Sequence, residues 1–190
     1  MFERFTKDAR DVVKGAVAHA ERAGVRSVGA EHLLLALLDR EGSRVSFALA
    51  ALGLDGRRES VREALESAWR RGGLTQAETD ALAGLGIDVP EIVARVEEAH
   101  GAGALSGGRK GGGGSRWSGH RPFEQGAKDI LTGALRAATA LRDRHIGDQH
   151  ILLALTTRPG VPAEVLADHG VTYESLTRVL YGSGGEAEAS

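Results

Sequence analysis

An internal repeat constrains this chain more than any other feature of its sequence. The segment from Phe5 to Leu37 reappears as Phe123 to Leu155 with a constant offset of 118 residues, and its best-matched parts read GAEHLLLAL and GDQHILLAL. After a one-residue deletion the alignment continues through two more pairs, Leu49 with Leu166 and Gly53 with Gly170. Each copy is therefore about 60 to 65 residues long, which is the size of a small helical unit.

Each copy has the residue pattern of four helices. In the first helix, small and apolar residues recur at helical spacing: Phe5, Ala9, Val12, Val13, Ala16 and Ala20, matched by Phe123, Ala127, Ile130, Leu131, Ala134 and Ala138. The second helix opens after Gly29 or Gly147 and is apolar on nearly all sides, which is typical of a buried helix. The third helix is predicted over 45–52 and 162–169, and the fourth over 57–70 and 173–181. Because no stretch shows sustained strand alternation, we predict an all-α protein built of two pseudo-symmetric four-helix repeats.

The two copies differ in sequence at the start of the second helix. Asp148 is a good N-cap whereas Ala30 cannot cap, so we expect the first copy to lose about 1 kcal/mol at that end. His32 and His150 follow at matching positions. A packing or hydrogen-bonding role is expected for both, because no second histidine at i+4 and no helical carboxylate completes a metal-ligand set.

A helical and glycine-rich insert separates the copies. Residues 73–100 are predicted to be helical, with Thr75 as the first cap and Asp88 before a proline as the second. The octet at 81–88 echoes the one at 48–55, either as a partial third copy or by coincidence in a chain rich in Ala, Leu and Gly. Nine of the nineteen residues at 101–119 are glycine, so this part is predicted to be a flexible linker that lets the second copy dock in any orientation.

These patterns predict five segments. They are repeat 1 (1–72), the helical insert (73–100), the Gly-rich linker (101–122), repeat 2 (123–182) and a disordered tail (183–190).

Composition excludes several classes of function. Lys and Arg number 24 against 26 Asp and Glu, which argues against a nucleic-acid partner. The absence of cysteine removes thiolate nucleophiles and cysteine metal sites. The longest apolar run, Leu33 to Leu38, is far too short to cross a membrane, and the charged start does not match a signal peptide, so a cytoplasmic protein is expected. The Gly-rich segment lacks phosphate-loop spacing and no catalytic signature occurs, so neither a catalytic residue, a metal nor a cofactor is predicted.

The same residues carry a family resemblance. The opening at 2–6, the spacing of Ala9 and Val12–Val13, and the blocks at 29–37 and 147–153 resemble the Clp N-terminal domain of the ClpC and ClpA chaperones. The resemblance covers both repeats and not the insert. It implies a pseudo-twofold pair of four-helix repeats that receives substrates and adaptor proteins for an attached ATPase ring feeding the ClpP protease. This sequence ends after the second repeat, without ATPase modules, and its connection between repeats is longer than the family's.

The resemblance implies a binding protein that is not an enzyme. The expected function is capture or sequestration of ClpC N-domain ligands: peptides, substrate or adaptor proteins of the Clp system, phosphoarginine-marked proteins and cyclic-peptide antibiotics. The alternative is an adaptor or regulator that docks on ClpC and the ClpC–ClpP machinery. A small hydrolase using His32 or His150 has the least support, because a matched pair of repeat histidines is better explained by architecture.

Two candidate binding sites follow from the resemblance. The first is an apolar groove lined by Phe2, Val13, Phe123 and Leu135, with the first helices of the two repeats side by side. The alternative is that the two phenylalanines only staple the helix starts.

The second is a phosphoarginine-type site. Thr6 and the start of its helix would hold the phosphate with Arg4 nearby, and Glu31 would bind the guanidinium. The matching residues of repeat 2 are Glu124 and Gln149, so binding is expected to fail there. The alternative is that Thr6 is only an N-cap and Glu31 only a first-turn carboxylate.

Overall fold

A computed structural model describes residues 2–105 and 121–182, and only the backbone of Phe2. The described residues form ten α-helices and no strands, which confirms the predicted all-α class. The helices are α1 (Lys7–Arg22), α2 (Ala30–Leu38), α3 (Arg44–Ala51), α4 (Arg58–Arg70), α5 (Gln76–Gly84), α6 (Val89–His100), α7 (Gln125–Ala140), α8 (Asp148–Thr157), α9 (Val161–Asp168) and α10 (Tyr173–Tyr181). Most of the predicted linker and the whole predicted tail lie outside the described residues.

Helices α1–α4 and α7–α10 are the two repeats. Within each repeat the first helix packs closely on the second, because a glycine lies at the contact. A Cβ atom on Gly15 would lie 3.0 Å from the Cβ of Ala36, and one on Gly133 would lie 3.0 Å from that of Ala154. Both pairs are related by the offset of 118, so the internal sequence repeat is also a repeat of packing.

The second helices begin directly after Gly29 and Gly147, as predicted, but the capping residue of the second repeat differs from the predicted one. Their N-caps are Gly29 and Gly147, and Asp148 is the first helical residue, so its prediction as N-cap was wrong. In both repeats the backbone N–H of the glycine donates to Nδ1 of the histidine three residues later, at 2.9 Å. Because His32 and His150 provide the same capping bond, the predicted loss of about 1 kcal/mol in repeat 1 has no basis in the structure.

The repeats meet through their second helices. α2 packs on α8, α1 packs on α8 and α7 packs on α2, while the third helix of each repeat packs on the fourth helix of the other. The expectation that α1 and α7 lie side by side was therefore wrong, since the extensive contacts of each are with the second helices. The reason is that α2 and α8 are apolar and buried on nearly all sides, so each is packed against both first helices.

The insert forms a helical hairpin whose start contacts the second repeat. Asp88 and Thr75 cap α6 and α5 as predicted. The Glu164 carboxylate on α9 accepts hydrogen bonds from the first two amides of α5, those of Gln76 at 2.6 Å and Ala77 at 3.3 Å. A carboxylate at this position satisfies N–H groups that have no partner within the helix and interacts favourably with the helix dipole. Within the described ranges, no helix is both long and apolar enough to span a membrane.

Candidate binding site

Two short parallel bridges join the repeats and define two junctions. At the first, the Thr6 N–H donates to the Ile146 carbonyl at 2.9 Å, and the Ile146 N–H donates to the Arg4 carbonyl at 2.8 Å. At the second, the Val28 N–H donates to the Pro122 carbonyl, and the Glu124 N–H donates to the Val28 carbonyl, both at 2.9 Å. We call these the Thr6 junction (residues 4–6 with 146–149) and the Glu31 junction (residues 122–124 with 28–31).

The Thr6 junction joins the starts of α1 and α8. The Thr6 hydroxyl caps α1 by accepting from the Ala9 N–H at 3.2 Å, and Arg4 is exposed. The residue of α8 that matches Glu31 is Gln149, which is buried. The one carboxylate in this set of residues, Asp148, is 2% exposed and accepts from the Gln149 N–H at 3.0 Å. Arg4 is therefore the exposed charged residue of this junction, and together with the start of α1 it can interact with an anionic group.

The Glu31 junction joins the starts of α2 and α7 and carries two carboxylates. The Glu31 side chain, 22% exposed, folds over Gly29, and its Oε1 lies 3.2 Å from Nδ1 of His32. Since that nitrogen accepts the Gly29 N–H, it has no proton to share with Glu31. Glu124 is exposed and accepts a hydrogen bond from the Ser27 hydroxyl at 2.5 Å. The Glu31 carboxylate thus keeps acceptor capacity for a cationic ligand group.

The two junctions divide the predicted phosphoarginine-type residues. Arg4 and Thr6 belong to one junction and Glu31 to the other, and no hydrogen bond or ion pair of the described part of the chain joins them. The sequence-based prediction grouped these three residues because they belong to the same repeat. In the structure, each bridge instead connects the first-helix start of one repeat to the second-helix start of the other. Sequence reasoning missed Ser27 as a partner of Glu124, because no pattern within one copy reports a contact made between copies.

The predicted groove residues differ in how much surface they offer. Val13 is 9% exposed and belongs to the hydrophobic core, whereas Phe123 and Leu135 pack against that core and stay half-buried. The side chain of Phe2 lies outside the described residues. Since Phe123 pairs with Val28, its ring lies at the Glu31 junction, where an apolar contact and the two carboxylates occur together.

Both repeat histidines are structural groups. His32 is 2% exposed and lies with its ring 5.5 Å from that of Trp69, and His150 is fully buried. The Nε2 of His150 lies 3.0 Å from an Asp143 carboxylate oxygen and 3.2 Å from the Tyr181 hydroxyl. Their capping bonds confirm the hydrogen-bonding role. Neither ring is accessible to a substrate, and the described residues include no group of three metal-ligating side chains.

Comparison with known proteins gives a consistent match. The family model of the Clp repeat (R) N-terminal domain matches residues 4–100, which comprise α1 to α6. The Bacillus subtilis negative regulator of genetic competence ClpC/MecB is 28% identical over 174 residues, 90% of this chain. A ClpA homolog of Cyanidium caldarium, named as an ATP-binding subunit of the ATP-dependent Clp protease, is 28% identical over 177 residues, 93% of this chain. This chain spans 16% of the length of each relative.

A solved structure agrees in fold. The N-terminal domain of the Arabidopsis thaliana chaperone ClpD, associated with the caseinolytic protease, superposes with a TM-score of 0.50 at 19% identity, and the match covers 96% of both chains. The match therefore extends over both repeats and the insert between them.

Proposed function

Because the chain belongs to the Clp repeat (R) N-terminal domain family, we propose that it is a binding domain that captures protein or peptide ligands of the Clp system. The ligands are those that the N-domain of ClpC would take, and the activity is binding without catalysis. Support comes from the relatives, whose names are those of Clp chaperones and protease subunits, and from the burial of both repeat histidines. The proposed location is the cytoplasm, and repeats 1–72 and 123–182 are the proposed binding units.

The observation that carries this proposal is the pair of junctions of opposite character. A guanidinium group can be bound by the Glu31 carboxylate, which retains free acceptor sites beside Glu124. An anionic group can be bound by Arg4 and the α1 start at Thr6. We therefore propose that Arg4 and Thr6 bind an anionic group at one junction and that Glu31 binds a guanidinium group, that of a phosphoarginine-marked protein being the leading candidate, at the other.

An apolar contact would accompany the charged one. Phe123 and Leu135 keep part of their surface exposed next to the core, and they are the residues of the predicted groove that we propose to contact apolar side chains or cyclic-peptide antibiotics. Aromatic and aliphatic side chains that become fully buried on binding supply most of the affinity of such contacts.

Titration with free phosphoarginine tests the charged site. We expect one binding event that Glu31→Ala abolishes, because the guanidinium loses its ionic partner. The control is Glu174→Ala, an exposed glutamate in the first turn of α10 and outside both junctions, which should leave the affinity unchanged. Absence of binding by the wild-type chain, or equal binding by Glu31→Ala, would refute this assignment.

Capture from a native lysate separates sequestration from an adaptor role. A chain that sequesters ligands retains client proteins but not the ClpC ring, whereas an adaptor co-purifies with ClpC itself. A variant lacking residues 89–118 shows whether the insert is needed for either. We expect the chain to retain client proteins, and we expect free phosphoarginine to compete with these proteins for binding. Retention that Glu31→Ala does not reduce would contradict a role of this site.

A further inference from the structure

A serine and a histidine from different repeats form a hydrogen-bonded pair away from both junctions. The Ser60 hydroxyl on α4 lies 2.9 Å from Nε2 of His169, the residue that follows α9. Ser60 is exposed and His169 is half-buried, so the pair can be reached from solvent. A serine within hydrogen-bond distance of a histidine is the arrangement that makes the hydroxyl a nucleophile, provided that a third group orients the ring.

A backbone carbonyl orients the His169 ring. Nδ1 of His169 lies 2.7 Å from the carbonyl oxygen of Val165, which can only accept a hydrogen bond. The neutral ring therefore carries its proton on Nδ1 and leaves Nε2 as an acceptor for the Ser60 hydroxyl. Arg57 donates to the His169 carbonyl at 3.3 Å and holds the end of α9 against the start of α4. The ring thus has the tautomer and the direction that a general base needs.

The two helices favour the charges that proton transfer would produce. Ser60 is the third residue of α4, at the positive end of the helix dipole, where a negative charge on oxygen is stabilised. His169 is the C-cap of α9, at the negative end of that helix dipole, where an imidazolium cation is stabilised. Moving the proton from the hydroxyl to Nε2 therefore places each charge at the helix end that suits it.

The pair exists at one of two equivalent positions. At the offset of 117 that relates α3 to α9, the counterparts of His169 and Ser60 are Leu52 and Thr177. Leucine cannot accept a proton, and the Thr177 hydroxyl donates instead to the carbonyl of Tyr173 in its own helix, at 2.7 Å. α10 nevertheless packs on α3 as α4 packs on α9, so the fold does not require a serine–histidine pair at this contact.

We propose that Ser60 is a nucleophile, activated by His169, that accepts an acyl group from a small activated ester. Nε2 of His169 takes the hydroxyl proton as the Ser60 oxygen bonds to the acyl carbon. The bond from that carbon to the leaving oxygen then breaks, and the proton passes from Nε2 to the departing alcohol. The products are the acylated serine and the free alcohol.

The donor must be an activated ester because the group that orients the ring is a carbonyl. A carboxylate in that place would stabilise the imidazolium by its full charge, whereas the Val165 carbonyl offers only a dipole. A good leaving group is therefore needed to compensate for the weaker base. This covalent site does not rest on the proposed ligand binding, since none of its residues belongs to either junction.

Acetylation by p-nitrophenyl acetate tests the proposal. We expect the full chain to release p-nitrophenol and to gain an acetyl group that peptide mass spectrometry places on Ser60. Ser60→Ala should abolish this acetylation, and His169→Gln should slow it by about a hundredfold or more, the usual contribution of a general base. Ser67→Ala is the matched control and should leave the rate unchanged, because Ser67 is an exposed serine of the same helix that pairs with Arg71.

The wild-type chain supplies a second readout that needs no variant. In one and the same molecule, Ser60 should be acetylated far faster than Ser67. Circular dichroism establishes that the three variants fold. Equal acetylation of the two serines, an unchanged rate in His169→Gln, or no acetylation of Ser60 at all would overturn the proposal.

Discussion

Phe5 and Ile146, 141 positions apart in the chain, lie side by side as a parallel bridge, with hydrogen bonds from the flanking Thr6 amide and to the Arg4 carbonyl. Val28 and Phe123 form the symmetry-related bridge at the offset of 118. Each repeat thereby fixes the start of its own first helix against the loop before the second helix of the other. The two junctions of the candidate site exist only when both repeats are docked.

The bridging aromatics should differ in their effect on stability. Phe5 is 3% exposed, so Phe5→Ala should lower the free energy of unfolding by about 3 to 5 kcal/mol through lost burial and a cavity. Phe123 is half-buried, so Phe123→Ala should lower the free energy of unfolding clearly less than Phe5→Ala does. Urea denaturation followed by circular dichroism measures both. Equal losses would show that burial of the two rings does not explain their roles.

Glycines in α7 should respond oppositely to alanine. A Cβ at Gly126 meets only the Arg158 side chain at 3.5 Å, so Gly126→Ala should stabilise the chain by about 0.5 kcal/mol through helix propensity. A Cβ at Gly133 would be 3.0 Å from the Ala154 Cβ, so Gly133→Ala should be less stable than Gly126→Ala by about 1 to 2 kcal/mol. Thermal unfolding of the pair tests this, and identical melting temperatures would argue against close α7–α8 packing.

Loss of Glu164 should release the start of the insert hairpin. Its carboxylate accepts from the Gln76 and Ala77 amides, so Glu164→Ala should speed hydrogen exchange at these two amides by about tenfold or more. Glu174→Ala, which removes an exposed glutamate in the first turn of α10, is the matched control. Exchange in α2 and α8 should stay unchanged in both variants. Unaltered exchange at Gln76 in Glu164→Ala would mean that the hairpin is held by other contacts.

His150 should make stability depend on pH. Burial lowers the pKa of His150 below 6.5, and this outweighs the Asp143 carboxylate, which raises it. As the pH falls, the unfolded chain therefore binds its proton first. The stabilisation is fully present above pH 6.5, the ordinary histidine value, and is lost as the pH drops from there through the lowered native pKa.

Proton NMR of the folded protein measures this pKa. Asp143→Asn removes the group that raises it, so the His150 ring should titrate at a still lower pH than in wild type. Asp168→Asn, an exposed carboxylate on α9, serves as the control and should leave the His150 titration unchanged. A His150 midpoint at or above 6.5 in the wild-type protein would contradict the dominance of burial.

The sequence by itself determined the repeat, the helical class and most helix positions. α10 has the predicted bounds, α4 begins one residue later than predicted, and α3 and α9 each begin and end one residue earlier, because the apolar spacing and the terminating glycines are local signals. It also indicated that His32 and His150 share one role. The prediction of Asp148 as N-cap was wrong, although aspartate is a common capping residue. Gly147 is the N-cap, and its N–H donates to the side chain of His150 at position N3.

Only the tertiary structure decided which residues of the two copies meet. Thr6 and Glu31 belong to the same repeat but lie at different junctions. The reason is that the bridges Phe5–Ile146 and Val28–Phe123 each join a residue of one repeat to a residue of the other. Likewise no sequence pattern indicates that Phe47 on α3 is exposed whereas Glu164, at the matching position of α9 and 117 residues later, accepts hydrogen bonds from a helix start. The physical reason is that local periodicity selects the face that each helix buries. The partner of that face depends on how two apolar central helices pack together, and this is a property of the folded pair.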